Sequence, residues 1–486
     1  MVEIDPGRDY YEILGVGLGA TPTEIRDAYR DLAKQYHPDT GHGDVDRFRL
    51  IQEAYQVLYD ATYRRAYDRQ RFSRGYGTGS LAFTLLLSQH ELRPMDTPQM
   101  LYLIADIHPQ DVPRGAPKKL NLALVIDRST SMQGARMHNV KVAANDLVDS
   151  LNPSDRLAVV AFGDRAEVVT AADLSAGRHH FRSAISSIVP GGGTEIFQGL
   201  RQAIGLVKPH VAADTVSHII LMTDGRTYGD EELALAAADD AADSGIGISA
   251  FGIGDDWNDA FLDRLAQAGR GISDYIDAPA KVQQALRSQI RGLANTAMTR
   301  VRLGVSTTSG ARLVGAYRVA PYMDIFPVRD DCSLDLGNLS IGEATSVAME
   351  FTVQRNEVGA HRIARLVVEG DDVGGGKTVG FWRDVDVTFT DNPESALVPP
   401  RLLTTLARLS VFRLQERAWN ALEAGDPQTA TQYLQSAATR LFDMGYKELG
   451  QAAMLEVNRL ARGTSPSQSG RKQLRYGTRA LSIRSS

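Results

Sequence analysis

From Lys119 to about residue 297 the chain alternates short apolar runs with longer amphipathic ones, and no other feature restricts its fold as strongly. Leu120–Ile126 is a near-continuous apolar run of strand length, as a strand buried on both faces of a parallel sheet requires. Further strand-like runs lie near 156–162, 216–222, 246–253 and 272–276. Helical spacing marks about 135–150, 178–188, 196–207, 230–244, 258–267 and 280–296. Strands and helices in alternation cover both faces of a parallel sheet, so residues 118–297 are predicted to form a doubly wound α/β domain.

Different periodicities flank this region. Val347, Met349, Phe351 and Val353 alternate as in a half-buried strand, and so do Val385, Val387 and Phe389. Leu81–Leu87 and Met100–Ile107 also read as strands, before a stretch punctuated by Pro109, Pro113 and Pro117. Two strands alone are marginal. Residues 81–110 and 299–390 are therefore read as one antiparallel β-sandwich into which the α/β domain is inserted, an arrangement open to any domain whose ends lie together.

Both ends of the chain look helical. In residues 8–72, Thr21, Pro22 and Glu24 form a helix start, and Ile25, Ala28, Tyr29, Leu32, Ala33 and Tyr36 recur at helical spacing until Pro38. A second run holds Phe48, Ile51, Ala54, Tyr55 and Leu58. Residues 73–80, with Gly75, Gly77 and Gly79, read as a linker. Residues 395–462 read as a helical hairpin or three-helix unit, with Ala430, Tyr433, Leu434, Ala437 and Leu441 on one stripe and Asp426-Pro427 opening a helix. The Ser/Gly-rich stretch 463–486 carries Arg471, Lys472, Arg475, Arg479 and Arg484 without an acid, so it is predicted to be a disordered basic tail. There Thr478 is a candidate phosphorylation site. The whole is predicted to be a multidomain α/β chain.

Global properties narrow the function. A length of 486 residues suggests three or four domains. A net charge of −6 gives no reason to expect nucleic acid or an anionic membrane as a partner. The single cysteine, Cys332, leaves no intramolecular disulfide and no cysteine-rich zinc site. No apolar run reaches the roughly 18–20 residues of a membrane helix, and the acidic start Met1-Val2-Glu3-Ile4-Asp5 lacks a signal pattern. A cytoplasmic location is expected.

Chemistry concentrates where the α/β strands end. Asp127-Arg128-Ser129-Thr130-Ser131 follows directly on the first apolar strand, at the edge where open α/β sheets bind ligands. Gly191-Gly192-Gly193-Thr194 precedes a helix, and Leu221-Met222-Thr223-Asp224-Gly225 closes a later strand. Asp127 and Asp224 offer charge, while Ser129, Ser131 and Thr194 offer neutral hydroxyls. This set suits Mg²⁺ or Mn²⁺, hard ions that take six oxygens. Two carboxylates barely neutralise the ion, which stays electrophilic toward a carboxylate from a partner.

With these three elements, residues 118–297 resemble a von Willebrand factor A domain with a complete metal-ion-dependent adhesion site. The resemblance implies binding of a protein ligand through an acidic Asp or Glu anchor, with Mg²⁺ or Mn²⁺ as cofactor and no catalysis. Gly252-Ile253-Gly254-Asp255-Asp256-Trp257 resembles bacterial intracellular members. In adhesion receptors of the family metal binding is coupled to the last helix, which here falls at about 280–296.

The N-terminal helices carry a second pattern. His37-Pro38-Asp39 follows the first amphipathic helix, with Asp9-Tyr10-Tyr11-Glu12-Ile13-Leu14-Gly15 before it and Arg65-Ala66-Tyr67-Asp68 after it. Together these resemble a J domain. The resemblance implies that this loop engages a DnaK-type chaperone and stimulates its ATPase. Arg26, Arg30 and Lys34 recur every four residues on one helical face, suited to steering encounter with an acidic chaperone surface. The zinc-binding cysteine repeats of the longest J proteins are absent, so general binding of unfolded clients is not expected.

The reading that joins both sites is an adaptor co-chaperone. A scaffold without ATPase stimulation is the alternative. A metalloenzyme fits poorly, because metal hydrolases usually supply several carboxylates or histidines to activate water, and no nucleophile–base pair is readable.

Overall fold

The fold is taken from a computed structural model, which describes residues 10–14, 22–36, 45–60, 63, 64, 67, 81–109, 118–225, 227, 229–328, 332–373, 378–393 and 397–481. Among these residues, three helices at the N-terminus, three sheets and a C-terminal helical bundle make up the chain.

The N-terminal helices are α1 (Tyr10–Leu14), α2 (Pro22–Tyr36) and α3 (Val45–Tyr59). Tyr10, Leu14, Ile25, Ile51, Ala54, Val57, Leu58 and Tyr67 form their small core. Tyr10 ties it together: its hydroxyl donates to Glu53 at 2.7 Å and its amide to the Tyr67 hydroxyl at 3.1 Å.

The sandwich strands are β1 (Leu81–Leu87), β2 (Glu91–Leu92), β3 (Met95–Pro109), then β10 (Thr296–Thr307), β11 (Ala311–Ala320), β12 (Asp324–Phe326), β13 (Ser333–Ser340), β14 (Thr345–Arg355), β15 (Gly359–Asp372) and β16 (Thr378–Phe389). They form two sheets of order β1-β3-β14-β11-β12 and β13-β10-β15-β16-β2. β3 pairs antiparallel with β14, opposing Ala105 to Val347 and Leu103 to Met349, which sets their apolar side chains toward a shared core with Leu303, Leu366 and Val385.

The α/β domain leaves the sandwich after β3 and re-enters it at β10. Lys118 Nζ donates to the Thr296 carbonyl, so the two ends of the insertion touch. Its strands are β4 (Lys119–Asp127), β5 (Arg156–Phe162), β6 (Ala166–Asp173), β7 (Thr215–Thr223), β8 (Ile246–Ile253) and β9 (Arg270–Ile276), in the order β6-β5-β4-β7-β8-β9. All pair in parallel except the edge strand β6, which runs antiparallel to β5. β6 goes unforeseen in the sequence reading because its residues are mostly half-exposed and show no clean alternation. Helices α4 (Ala135–Ser150), α5 (Arg178–Ser186) and α9 (Val282–Ala294) cover one face through Val140, Leu147, Phe181 and Leu286. Helices α6 (Ile196–Val207), α7 (Glu231–Asp243) and α8 (Asp259–Ala268) cover the other through Leu200, Ala238 and Leu265.

Among the described residues four helices follow the sandwich: α10 (Pro400–Glu423), α11 (Pro427–Asp443), α12 (Lys447–Ala461) and α13 (Gln468–Arg479). Leu402, Leu409 and Phe412 of α10 pack on Ile104, Val319 and Ala348 of the sandwich. The last helix corrects the expectation of a disordered tail. Ser467 caps it by accepting from the Gly470 amide, and Arg471, Arg475 and Arg479 stand one turn apart. Their acids come from elsewhere in the chain: Asp259 and Asp263 of α8, and Glu416 and Glu423 of α10. Glycine also serves packing here, since a Cβ at Gly477 would lie 2.4 Å from Leu449 Cδ2. The proposal of Thr478 as a phosphorylation site is likewise corrected. Thr478 is 1% exposed and donates to Gln415 Oε1 at 2.8 Å, so its hydroxyl has no route to a modifying enzyme in the folded chain.

No helix among the described residues is long and apolar enough to cross a membrane.

Candidate functional site

The strand order turns back between β4 and β7, and their carboxyl ends carry Asp127 and the residues after Thr223. This is the switch point where an open α/β sheet leaves a crevice for a ligand. Asp127 and Asp224 are fully buried, Ser129 is buried, Thr194 is half-buried and Ser131 is exposed, so the cluster opens to solvent on one side.

A mesh of short hydrogen bonds holds the cluster. Asp127 Oδ1 accepts from the Ser129 amide at 2.7 Å, and Oδ2 from the Thr223 hydroxyl at 2.6 Å. The Ser129 and Ser131 hydroxyls are 2.9 Å apart. Ser131 donates to Asp224 Oδ1 at 2.7 Å, and Arg136 Nη1 donates to Asp224 Oδ2 at 2.5 Å. Thr194 arrives from the other side. A Cβ at Gly225 would lie 3.0 Å from Thr194 Oγ1 and 3.7 Å from Asp127 Oδ2, so those two oxygens converge over the bare Gly225 backbone. All five residues singled out from the sequence thus meet in one place.

The loops are pinned by their backbones. Arg128 donates its amide to Phe162 O at 2.8 Å and accepts from Gly191 N at 2.6 Å. Thr130 N reaches Gly192 O at 3.2 Å. Asp164 accepts from the Gly193 amide at 2.8 Å, and the Thr227 hydroxyl donates to the Thr194 carbonyl at 3.3 Å. Thr223, Arg136, Asp164 and Thr227 escaped the sequence reading. Thr223 stands next to Asp224 and signals itself by its polarity at the end of an apolar strand. The others come together only through tertiary structure.

The donor set suits a hard divalent cation. Burial pushes the Asp127 carboxyl above its ordinary range, hydrogen bonds from Thr223 and Ser129 pull it back, and the Asp224 charge adds to the rise. Its donors are neutral, and a buried carboxylate of that kind gains most from a cation close by. Among the described residues no group of three or more His, Cys, Asp or Glu side chains converges, in keeping with a site of two carboxylates and three hydroxyls. His180 Nε2 is engaged with the Thr170 hydroxyl at 2.9 Å.

At the N-terminus, Arg26 is half-buried and Arg30 and Lys34 are exposed on α2, which ends at Tyr36. His37, Pro38 and Asp39 lie outside the described residues.

An inserted parallel-sheet domain with this cluster at its switch point defines a von Willebrand factor type A domain, and residues 121–288 match that family. Residues 9–68 match the DnaJ domain, and residues 400–483 match the Sll0103-like C-terminal alpha-helical domain. The chain carries a J domain, a von Willebrand factor type A domain and a Sll0103-like helical domain. The uncharacterized protein sll0103 of Synechocystis is 29% identical over 81% of this chain and 95% of its own length. Chaperone protein DnaJ of Protochlamydia amoebophila is 59% identical over 64 residues, which make up 13% of this chain and 17% of that protein. The likeness to DnaJ is thus confined to the J domain and spans about a sixth of that chaperone. Among solved structures, a von Willebrand factor type A protein from Catenulispora acidiphila shares the fold with a TM-score of 0.67 at 20% identity, covering 85% of this chain and 99% of its own. The ArnB paralog VWA2 of Sulfolobus acidocaldarius aligns with a TM-score of 0.51 at 15% identity, over 84% of this chain and 100% of its own.

Proposed function

We propose that this chain is an adaptor co-chaperone. Its von Willebrand factor type A domain holds a protein partner through a divalent cation, Mg²⁺ or Mn²⁺, and its J domain brings a DnaK-type chaperone to that partner and stimulates ATP hydrolysis. The observation that carries the reading is the convergence of Asp127, Ser129, Ser131, Thr194 and Asp224 at the switch point of a domain that shares its chain with a J domain.

In this reading Asp127, Ser129, Ser131, Thr194 and Asp224 hold the ion directly or through water, and the ion supplies an electrophilic position for a partner's Asp or Glu. The protein's own groups set that position. Thr223 and the Ser129 amide fix the Asp127 carboxylate, and Ser131 orients Asp224. In this reading the site binds rather than catalyses: its two carboxylates are already engaged, Asp127 by Thr223 and the Ser129 amide and Asp224 by Ser131 and Arg136, whereas metal hydrolases usually supply several carboxylates or histidines to activate water. His37, Pro38 and Asp39, with the basic face Arg26, Arg30 and Lys34, form the chaperone-facing surface. Metal-dependent capture tests the partner half: with Mg²⁺ present the full chain should retain a specific protein that chelation or Asp127→Ala releases. Equal retention under all three conditions would overturn it.

A further inference from the structure

We infer that Arg136 sets the charge of the metal site and so its preference for an anionic partner, an inference that rests on the metal reading above. Arg136 lies in the first turn of α4, five residues after Ser131. Its Nη1 donates to Asp224 Oδ2 at 2.5 Å and to the Ser131 carbonyl at 3.1 Å. Asp224 is fully buried, so its one ion-pairing partner among the described residues carries weight.

The guanidinium is held in place from its far side as well. Nη2 is 3.9 Å from Asp256 Oδ2 and packs over Gly254, where a Cβ would stand 3.0 Å away. The loop of Gly254 to Trp257 is fixed in turn from behind: Lys472 Nζ donates to the carbonyls of Asp255 and Trp257 and lies 4.2 Å over the Trp257 ring. Arg136 is therefore a built part of the site rather than a mobile surface side chain.

Its effect follows from charge. Asp127 and Asp224 alone would cancel a divalent ion. An arginine stays protonated at all working pH values, so the trio of Asp127, Asp224 and Arg136 carries a single net negative charge. Asp256, 75% exposed and 3.9 Å from Arg136, is screened by water and offsets little of this charge, so a bound divalent ion leaves the buried groups with a net positive charge, in a setting where electrostatic interactions are stronger than in water. Arg136 thereby weakens the hold on the ion and strengthens the attraction of the ion's open position for a carboxylate.

The test is titration of the full chain with Mn²⁺ alone, following free Mn²⁺ by electron paramagnetic resonance, for wild type, Arg136→Gln, Arg136→Lys and Asp127→Ala. Arg136→Gln should bind Mn²⁺ about tenfold more tightly, Arg136→Lys should stay near wild type, and Asp127→Ala should lose the site. Acetate, as the anionic probe, should tighten Mn²⁺ binding more in wild type than in Arg136→Gln. Unchanged or weaker Mn²⁺ binding in Arg136→Gln, or an equal acetate effect, would overturn the role of Arg136. Wild-type binding by Asp127→Ala would instead overturn the metal reading itself.

Discussion

Lys472, near the end of the chain, donates its ammonium to the carbonyl of Trp257, 215 positions earlier and 2.9 Å away. This contact opens a seam along which α13 binds the α/β domain. Asp263 is its hub: Arg479 Nη1 and Nη2 reach its two oxygens at 2.7 and 2.9 Å, the Tyr476 hydroxyl at 2.8 Å, and Arg475 Nε lies 2.9 Å away. The same helix grips the helical bundle through Thr478 and Gln415. α13 thus staples the α/β domain to the helical bundle.

Asp263→Ala should break this seam. It leaves Arg475 and Arg479, both largely buried, without their main counter-charge, and removing one partner of such a network costs about 3 kcal/mol. A lowered unfolding midpoint, with proteolysis after residue 461 becoming fast, is the expected result. An unchanged midpoint would mean that the seam contributes nothing.

Acid should loosen the same contact. Burial raises the Asp259 carboxyl, but Arg471 and Arg475 outweigh it and hold it below its ordinary value. A depressed carboxylate stabilises the fold above its unfolded pKa, about 3.9, and that stability is lost as pH falls further through the folded value. Between neutral pH and pH 5 this carboxylate should contribute a constant stabilisation, with the loss confined to below about pH 4. Comparing acid unfolding of wild type and Asp259→Asn reads the difference, which should shrink as the pH drops.

Gly225→Ala should fill the cradle between Thr194 and Asp127. The added methyl would stand 3.0 Å from Thr194 Oγ1, tight enough to push the hydroxyl aside. Mn²⁺ affinity should fall by about tenfold or more while the melting temperature stays near wild type, since the loss of one well-placed ligand in a geometrically strict site is felt in affinity first. Unaltered Mn²⁺ binding would contradict the placement of Thr194 in the site.

Much of this organisation was legible in the sequence where residue types repeat with a period. The parallel sheet announced itself through Leu120–Ile126 and its successors, and the insertion through strands too few to stand alone. The site residues could be read because Asp127 ends β4 and Asp224 follows β7, which fixes both to one edge of the sheet, while Thr194 follows a run of three glycines just ahead of α6. α13 was illegible for a physical reason. Its arginines look like an unmatched basic run until Asp259, Asp263, Glu416 and Glu423 are brought beside them, and its glycines look like linker until Leu449 is seen pressed against Gly477. Arg136 was invisible for a similar reason, since its meaning comes from Asp224, 88 positions away.

The adaptor account stands or falls on one assay: single-turnover ATP hydrolysis by a DnaK-type chaperone, with the full chain added as wild type, Asp39→Asn or Asp127→Ala, each shown to be folded. The two sites lie in separate domains, and substitutions at distant sites without shared partners act independently. Wild type and Asp127→Ala should both accelerate hydrolysis, and Asp39→Asn should not. No acceleration by wild type would reduce the chain to a scaffold, and loss of acceleration in Asp127→Ala alone would contradict independent sites and make the metal domain a switch for the J domain.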